Sequence, residues 1–136
     1  MSDEQLCENY LGVDWGAKRI GLALADSETR IALPFRTVST LSEVLSAISV
    51  EGIDKVVLGQ PLGLLGGVSN PDFIAFSHKL EEQAGRPVIL IDERLSSQAA
   101  DSLSRNDKDR PARDEMAAAI ILQGYLDREE GKYGGQ

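Results

Sequence analysis

YLGVDWGAKRIGLALAD, residues 10–26, is the stretch that decides the fold. Leu11, Val13 and Trp15 alternate with Gly12, Asp14 and Gly16, the two-residue period of a strand over residues 10–16. Gly16-Ala17-Lys18 reads as a turn, and residues 19–26 return as an antiparallel partner. A third strand is expected over residues 31–38, with Pro34 at an edge position or a bulge, because proline cannot donate to a central ladder.

Beyond these strands the period changes. Thr40 and Glu43 are spaced as a capping box, and Leu41, Val44, Leu45 and Ile48 recur at helical spacing. The short apolar run KVVLG, residues 55–59, suits a buried central strand. A Gly-rich loop follows over residues 60–69, without the Gly-Lys-Ser/Thr ending of a nucleotide-binding P-loop. Asn70 and Pro71 open a second helix whose stripe is Phe73, Phe76, Leu80 and Ala84, closed by Gly85. Residues 87–91 (PVILI) read as another buried strand, residues 97–105 as a short helix, and residues 112–127 as a last helix after a polar connection to Pro111. Three strands followed by helix, strand, helix, strand, helix, helix make an α/β layered domain whose sheet is antiparallel first and parallel later. The loops after its parallel strands gather at one sheet end, where sites form. The expected division is an arm over residues 1–9, one domain over 10–128 and a flexible tail over 129–136.

Composition narrows the function classes. The 136 residues hold 22 Asp and Glu against 14 Lys and Arg, a net charge of −8. That balance opposes the basic surface of most nucleic-acid binders, and carboxylates that hold cations lessen the conflict. One cysteine, Cys7, and one histidine, His78, exclude an internal disulfide and a zinc cage. No apolar run approaches the ~18 residues of a membrane span, and the acidic N-terminus is unlike a secretory signal. A cytoplasmic location is expected, with no membrane partner, as a monomer or a homodimer.

Three acids stand where a bland core would not put them. Asp14 interrupts an apolar strand, and Gly12 and Gly16 leave room beside it; a buried carboxylate needs a compensating partner. That partner is either a bound cation or phosphate, or Lys18 or Arg19 across the turn. Asp92 and Glu93 follow an apolar strand directly, and strand alternation turns only one of them toward Asp14. Glu93 is the expected ligand, Asp92 a supporting acceptor, and Arg94 is placed to meet phosphate. Asp114 opens the last helix and heads the stripe Ala118, Ile121 and Tyr125, beside small residues Ala117, Ala118 and Ala119. Glu115 competes with it as the third ligand. Oxygen-only donors select Mg²⁺ or Mn²⁺, and two such ions roughly 4 Å apart can drive phosphodiester hydrolysis.

The same blocks resemble those of the YqgF/RuvX family. Residues 11–23 (LGVDWGAKRIGLA) resemble its opening motif, residues 57–67 (VLGQPLGLLGG) its Gly-x-Pro loop, residues 91–97 (IDERLSS) its Asp-Glu-Arg motif, and residues 114–127 its final helix. The resemblance implies an RNase H-like three-layer fold with a mixed five-stranded sheet, related to Holliday-junction resolvases. It implies a nuclease acting on pre-rRNA or branched DNA, with a role in maturing the 5′ end of the small-subunit ribosomal RNA. Asp14, Glu93 and Asp114 match its catalytic, metal-holding acids. The chain departs from the family at Gly63 and Leu65, where Asn and Asp are usual, and at Ser96 and Ser97, which replace a Thr pair.

Lys18, Arg19, Arg94, Lys108, Arg110 and Arg113 are the expected substrate contacts, the last three in a basic segment that begins at Arg105. His78 falls on a wet helix face and Trp15 in the core. Two other classes compete: an ATP-binding domain of the actin and sugar-kinase type, whose first hairpin also carries Asp-x-Gly, and a non-catalytic RNA- or protein-binding module on the same fold.

Overall fold

The computed structural model describes residues 7–60, 70–92 and 110–134, with backbone only for 92, 110–114 and 129–134. Five strands, β1 (Asn9–Asp14), β2 (Ile20–Asp26), β3 (Leu33–Val38), β4 (Lys55–Gln60) and β5 (Val88–Asp92), form one sheet in the order β3-β2-β1-β4-β5. β1 pairs antiparallel with β2 and parallel with β4; β2–β3 is antiparallel and β4–β5 parallel. The mixed five-stranded sheet expected from the sequence is present. β3 is an edge strand, and its register shifts opposite Leu22 and Ala23, so that Phe35 is bulged beside Pro34.

Helices α1 (Leu41–Val50) and α2 (Pro71–Ala84) cover one face, and α3 (Arg110–Gly134) covers the other. The alternation along β1 feeds both layers. Leu11 and Val13 join Val44, Ile48, Phe73, Phe76 and Leu80 on the α1–α2 side. Tyr10 joins Ala118, Ile121, Leu122 and Tyr125 on the α3 side. Trp15 packs against Phe73 and Phe76, as expected of a core residue, and His78 is exposed. The caps read from sequence are present. Asn70 Oδ1 accepts from Asp72 N and Phe73 N, Pro71 is the first residue of α2, and Gly85 ends it with φ 67°.

The last strand residue of β1 and both ends of the last helix differ from the sequence reading. β1 ends at Asp14, so this acid closes the strand rather than interrupting it. The last helix starts at Arg110, and Pro111 belongs to its first turn instead of preceding it. A first-turn N–H has no helical acceptor, so proline loses nothing there. Asp114 is consequently the fifth helical residue, and α3 runs on to Gly134, past the expected end at 127. The expected short helix over 97–105 and the Gly-rich loop over 61–69, with Gly63 and Leu65, lie outside the described residues, as do Ser96 and Ser97.

α3 lies almost on the backbone of β1. A Cβ added at Gly12 would stand 2.8 Å from both the Ala118 carbonyl oxygen and Leu122 Cβ. Ala118 and Ala119 on the helix side are equally small and buried. Gly12→Ala should therefore push the helix off the sheet and cost about 1–3 kcal/mol, the range of overpacked cores, read as a lower urea midpoint. Unchanged stability would contradict the close approach.

The α1 cap gives a pH test. The Glu43 carboxylate accepts from Ser39 N at 2.8 Å and Thr40 N at 3.1 Å, while Thr40 Oγ1 accepts from Glu43 N. These donors, Ser39 first, hold the Glu43 carboxyl below the usual carboxylate range. Its contribution is full above the unfolded pKa and is lost as pH falls through the lower folded one. Glu43→Gln should flatten that part of the acid limb of stability; equal slopes in both proteins would contradict it.

Candidate functional site

The site is built from one row of the sheet. Register places Thr37, Gly21, Asp14, Gly59 and Ile91 side by side across all five strands. Tyr10, Gly12 and Asp14 alternate onto the α3 face of β1, and Ala23, Val57 and Ile91 belong to the same layer. Asp14 is half-buried there, at the C-terminal end of its strand, between the buried glycines Gly21 and Gly59. A strand normally presents side chains on both sides of such a position; here both neighbours lack one. The two positions flanking Asp14 in the row thus carry no side chain of their own.

The sequence reading credited Gly12 and Gly16 with room beside Asp14, and the structure reassigns both. The space at Gly12 is taken by Leu122 and the Ala118 carbonyl. At Gly16 a Cβ would lie 2.6 Å from the Arg19 carbonyl oxygen, so that glycine permits the tight β1–β2 turn. Gly21 and Gly59 were missed because register is invisible in a sequence; their signal is a glycine inside each of two apolar strands.

Helix direction decides which acids approach Asp14. The Tyr10 and Tyr125 rings meet edge-to-face at 6.2 Å, and Gly12 meets Leu122 and Ala118. Moving along β1 toward Asp14 therefore moves along α3 toward its start. Asp14 lies about 7 Å beyond Gly12, and position 114 lies about 6 Å before Ala118 along the helix. Positions 118, 122 and 125 form the stripe over β1, and helical spacing continues it to position 114. Positions 115 and 123 lie on the next stripe, toward β3 and the turn before it. There Glu115 Oε2 accepts from Thr37 Oγ1 at 3.2 Å, and Gln123 bonds the backbone at Arg30 and Ala32. Glu115 is thereby committed to the β3 side of the row.

The other expected site residues divide as follows. Lys18 and Arg19 are exposed in the β1–β2 turn, next to Asp14 in sequence. Arg110 and Arg113 lie in the first turn of α3: Arg113 is helical as expected, and Arg110 is helical where the sequence reading had the connection. Glu93, Arg94, Arg105 and Lys108 lie outside the described residues, as do the side chains of Asp92 and Asp114. Among the described residues no three His, Cys, Asp or Glu side chains converge on one point. The donor chemistry fits a hard cation: a half-buried carboxylate flanked by two glycines, with every other candidate donor also an oxygen.

Comparison with known proteins gives a consistent set. The family model described as "RuvX: Holliday junction resolvase" matches residues 8–128. A protein of Chloroflexus aggregans with the provisional name "pre-16S rRNA nuclease" is 34% identical over 93% of this chain and 98% of its own length. An Anaeromyxobacter protein of the same name is 39% identical over 87% of this chain and 96% of its own. Among solved structures, Thermus thermophilus RuvC in complex with Holliday junction substrate superposes with a TM-score of 0.62 at 16% identity, covering 90% of this chain and 96% of that one. At that identity the likeness shows the fold, the RNase H-like layered arrangement of that resolvase.

The Thr37–Glu115 bond can be weighed directly. A hydrogen bond to a half-buried carboxylate is worth about 1 kcal/mol. A double-mutant cycle of Thr37→Val and Glu115→Ala should return a coupling of that order in chemical denaturation. Additive single effects would show the pair to be uncoupled.

Proposed function

The chain belongs to the RuvX family, and on that premise we propose that it is a nuclease that hydrolyses phosphodiester bonds. Its substrate is the small-subunit ribosomal RNA precursor, cut in maturation of the 5′ end. The observation that supports this most is Asp14, half-buried between Gly21 and Gly59 and facing a helix whose stripe over β1 begins at position 114. Three relations select the acids. Asp14 is the acid of the row. Glu93 follows by one strand period from Ile91, which sits in that row. Asp114 is preferred to Glu115, whose carboxylate already accepts from Thr37.

Asp14, Glu93 and Asp114 would hold Mg²⁺ or Mn²⁺. When bound, these cations supply the Lewis-acid activation and charge neutralisation of two-metal phosphodiester hydrolysis. The protein's own part is positional. The sheet row fixes Asp14, and the rigid α3 stripe fixes position 114 relative to it. Lys18 and Arg19, exposed beside Asp14, together with Arg94, Lys108, Arg110 and Arg113, contact the phosphates flanking the scissile bond. Carboxylates neutralised by cations and a local group of Lys and Arg let a chain of net charge −8 accept a polyanion.

A second reading is kept by the family description as a Holliday junction resolvase: the substrate is a branched DNA. Cleavage of an RNA carrying the 5′ extension of 16S rRNA, beside a synthetic four-way DNA junction, separates the two. The RNA should be cut in Mg²⁺ or Mn²⁺ and spared in EDTA. Losing even an outer-sphere partner of a metal site costs ~10–100-fold, so Asp14→Asn, Glu93→Gln and Asp114→Asn should each lose about 100-fold or more. Glu115→Gln should stay within a few-fold of wild type. Junction cleavage with intact RNA would favour the resolvase, and full activity in EDTA would remove the metal mechanism. Binding of either nucleic acid without cleavage would favour the non-catalytic module.

A further inference from the structure

Arg30, in the turn between β2 and β3, has φ 55°. A non-glycine residue in the left-handed region carries a conformational cost, and such a residue persists only where its surroundings over-determine it. Here the surroundings are α3. The Gln123 amide makes two bonds to the turn: Ala32 N donates to its Oε1 at 2.9 Å, and its Nε2 donates to the Arg30 carbonyl at 3.0 Å. The turn answers in kind, because Arg30 Nη2 donates to the Leu126 carbonyl at 2.9 Å. A side chain of the helix thus holds the backbone of the turn, while a side chain of the turn holds the backbone of the helix.

Polar contacts add direction to the apolar packing of this layer. Where α3 crosses β1, Gly12 faces Leu122 and the Ala118 carbonyl. Gly12 has no side chain to set into a groove of the helix, so this close contact by itself does little to index α3 along its axis. The directional contacts on the stripe facing β3 are polar, and two of them stand eight residues apart, Thr37–Glu115 and Arg30/Ala32–Gln123. A hydrogen bond tolerates only a few tenths of an ångström before weakening, so a pair about 12 Å apart fixes both axial position and rotation. A displacement near 1 Å at a reacting site can cost about a hundredfold.

We propose that Gln123 is a positioning residue: its clamp on the Arg30 turn sets the axial register of α3, and so where Asp114 stands over Asp14. The inference rests on the metal-site reading above but concerns a residue remote from it, two turns beyond Glu115. Gln123→Met keeps the length and shape of the side chain while removing both bonds to the turn. Thr40→Ala, at the α1 cap on the opposite face of the sheet, is the control for a general loss of stability.

Mn²⁺ binding to the full chain, followed by the electron paramagnetic resonance signal of the free ion, gives a readout that requires no substrate. Wild type should bind, Asp14→Asn should not, Gln123→Met should bind about tenfold more weakly, and Thr40→Ala should match wild type. Arg30→Gly is a second comparison. It removes the Nη2 bond to the Leu126 carbonyl, but glycine adopts φ 55° without strain and keeps the carbonyl that Gln123 Nε2 binds, so it should weaken binding less than Gln123→Met. Wild-type affinity in Gln123→Met, with binding lost in Asp14→Asn, would overturn the clamp alone. Equal weakening in Thr40→Ala would reduce Gln123 to a stability contact. A wild type that binds no Mn²⁺ would overturn the metal-site reading, and the clamp's role with it.

Discussion

Contact between the backbone of β1 at Gly12 and α3 at Ala118 and Leu122 is the constraint on which the rest of this structure depends. A side chain at residue 12 would hold the helix away from the sheet. With the helix seated, two periodicities interlock. Tyr10 meets Tyr125, and two residues further along β1 Gly12 meets Leu122 and the Ala118 carbonyl. Gly12 permits this approach but has no side chain to index the helix along its axis, and the polar contacts from β3 and the turn before it add that direction.

Much of the fold was legible because local signals agreed with one another. The hairpin of residues 10–26, the Thr40 and Asn70 caps, the Gly85 stop and the apolar stripe of α2 each follow from one residue type meeting one backbone requirement. Pro34 announced an edge position or a bulge, and β3 has both. The failures share a cause, since each needed knowledge of what lies across space. Gly12 and Gly16 looked like the room around Asp14, but one is filled by a helix more than a hundred residues away in sequence and the other closes a turn. The glycines that flank Asp14 in the row, Gly21 and Gly59, sit in strands whose register no local pattern states. Asp14 was legible as an oddity and not as the end of a strand. Pro111 looked like a stop, whereas a first helical turn accepts it.

The choice between Asp114 and Glu115 shows how neighbouring residues acquire different tasks. They are about 100° apart around the helix. In sequence both are acids near a helix start, equally favoured by the helix dipole. Packing separates them: the stripe through 115 and 123 meets the polar groups of β3 and the turn before it, while the stripe through 118, 122 and 125 meets β1. Thr37, two strands from Asp14 in the same row, donates its hydroxyl to one oxygen of Glu115, which favours Asp114 as the third ligand in the proposed site. Electrostatics and catalysis are linked in the same way. Net charge −8 is unfavourable for a protein that handles a polyanion unless part of it is spent on cations.

The central claim is that the row through Asp14 and the start of α3 together hold divalent metal. A crystal structure determined with Mn²⁺, with anomalous difference density recorded near the manganese edge, tests this most directly. The account predicts density between Asp14 and Asp114, within about 2.0–2.6 Å of a carboxylate oxygen of each, the range of oxygen ligands to hard cations. Density only on outer surfaces, with the Asp14 carboxylate paired to Lys18 or Arg19 instead, would contradict it and return Asp14 to a structural role.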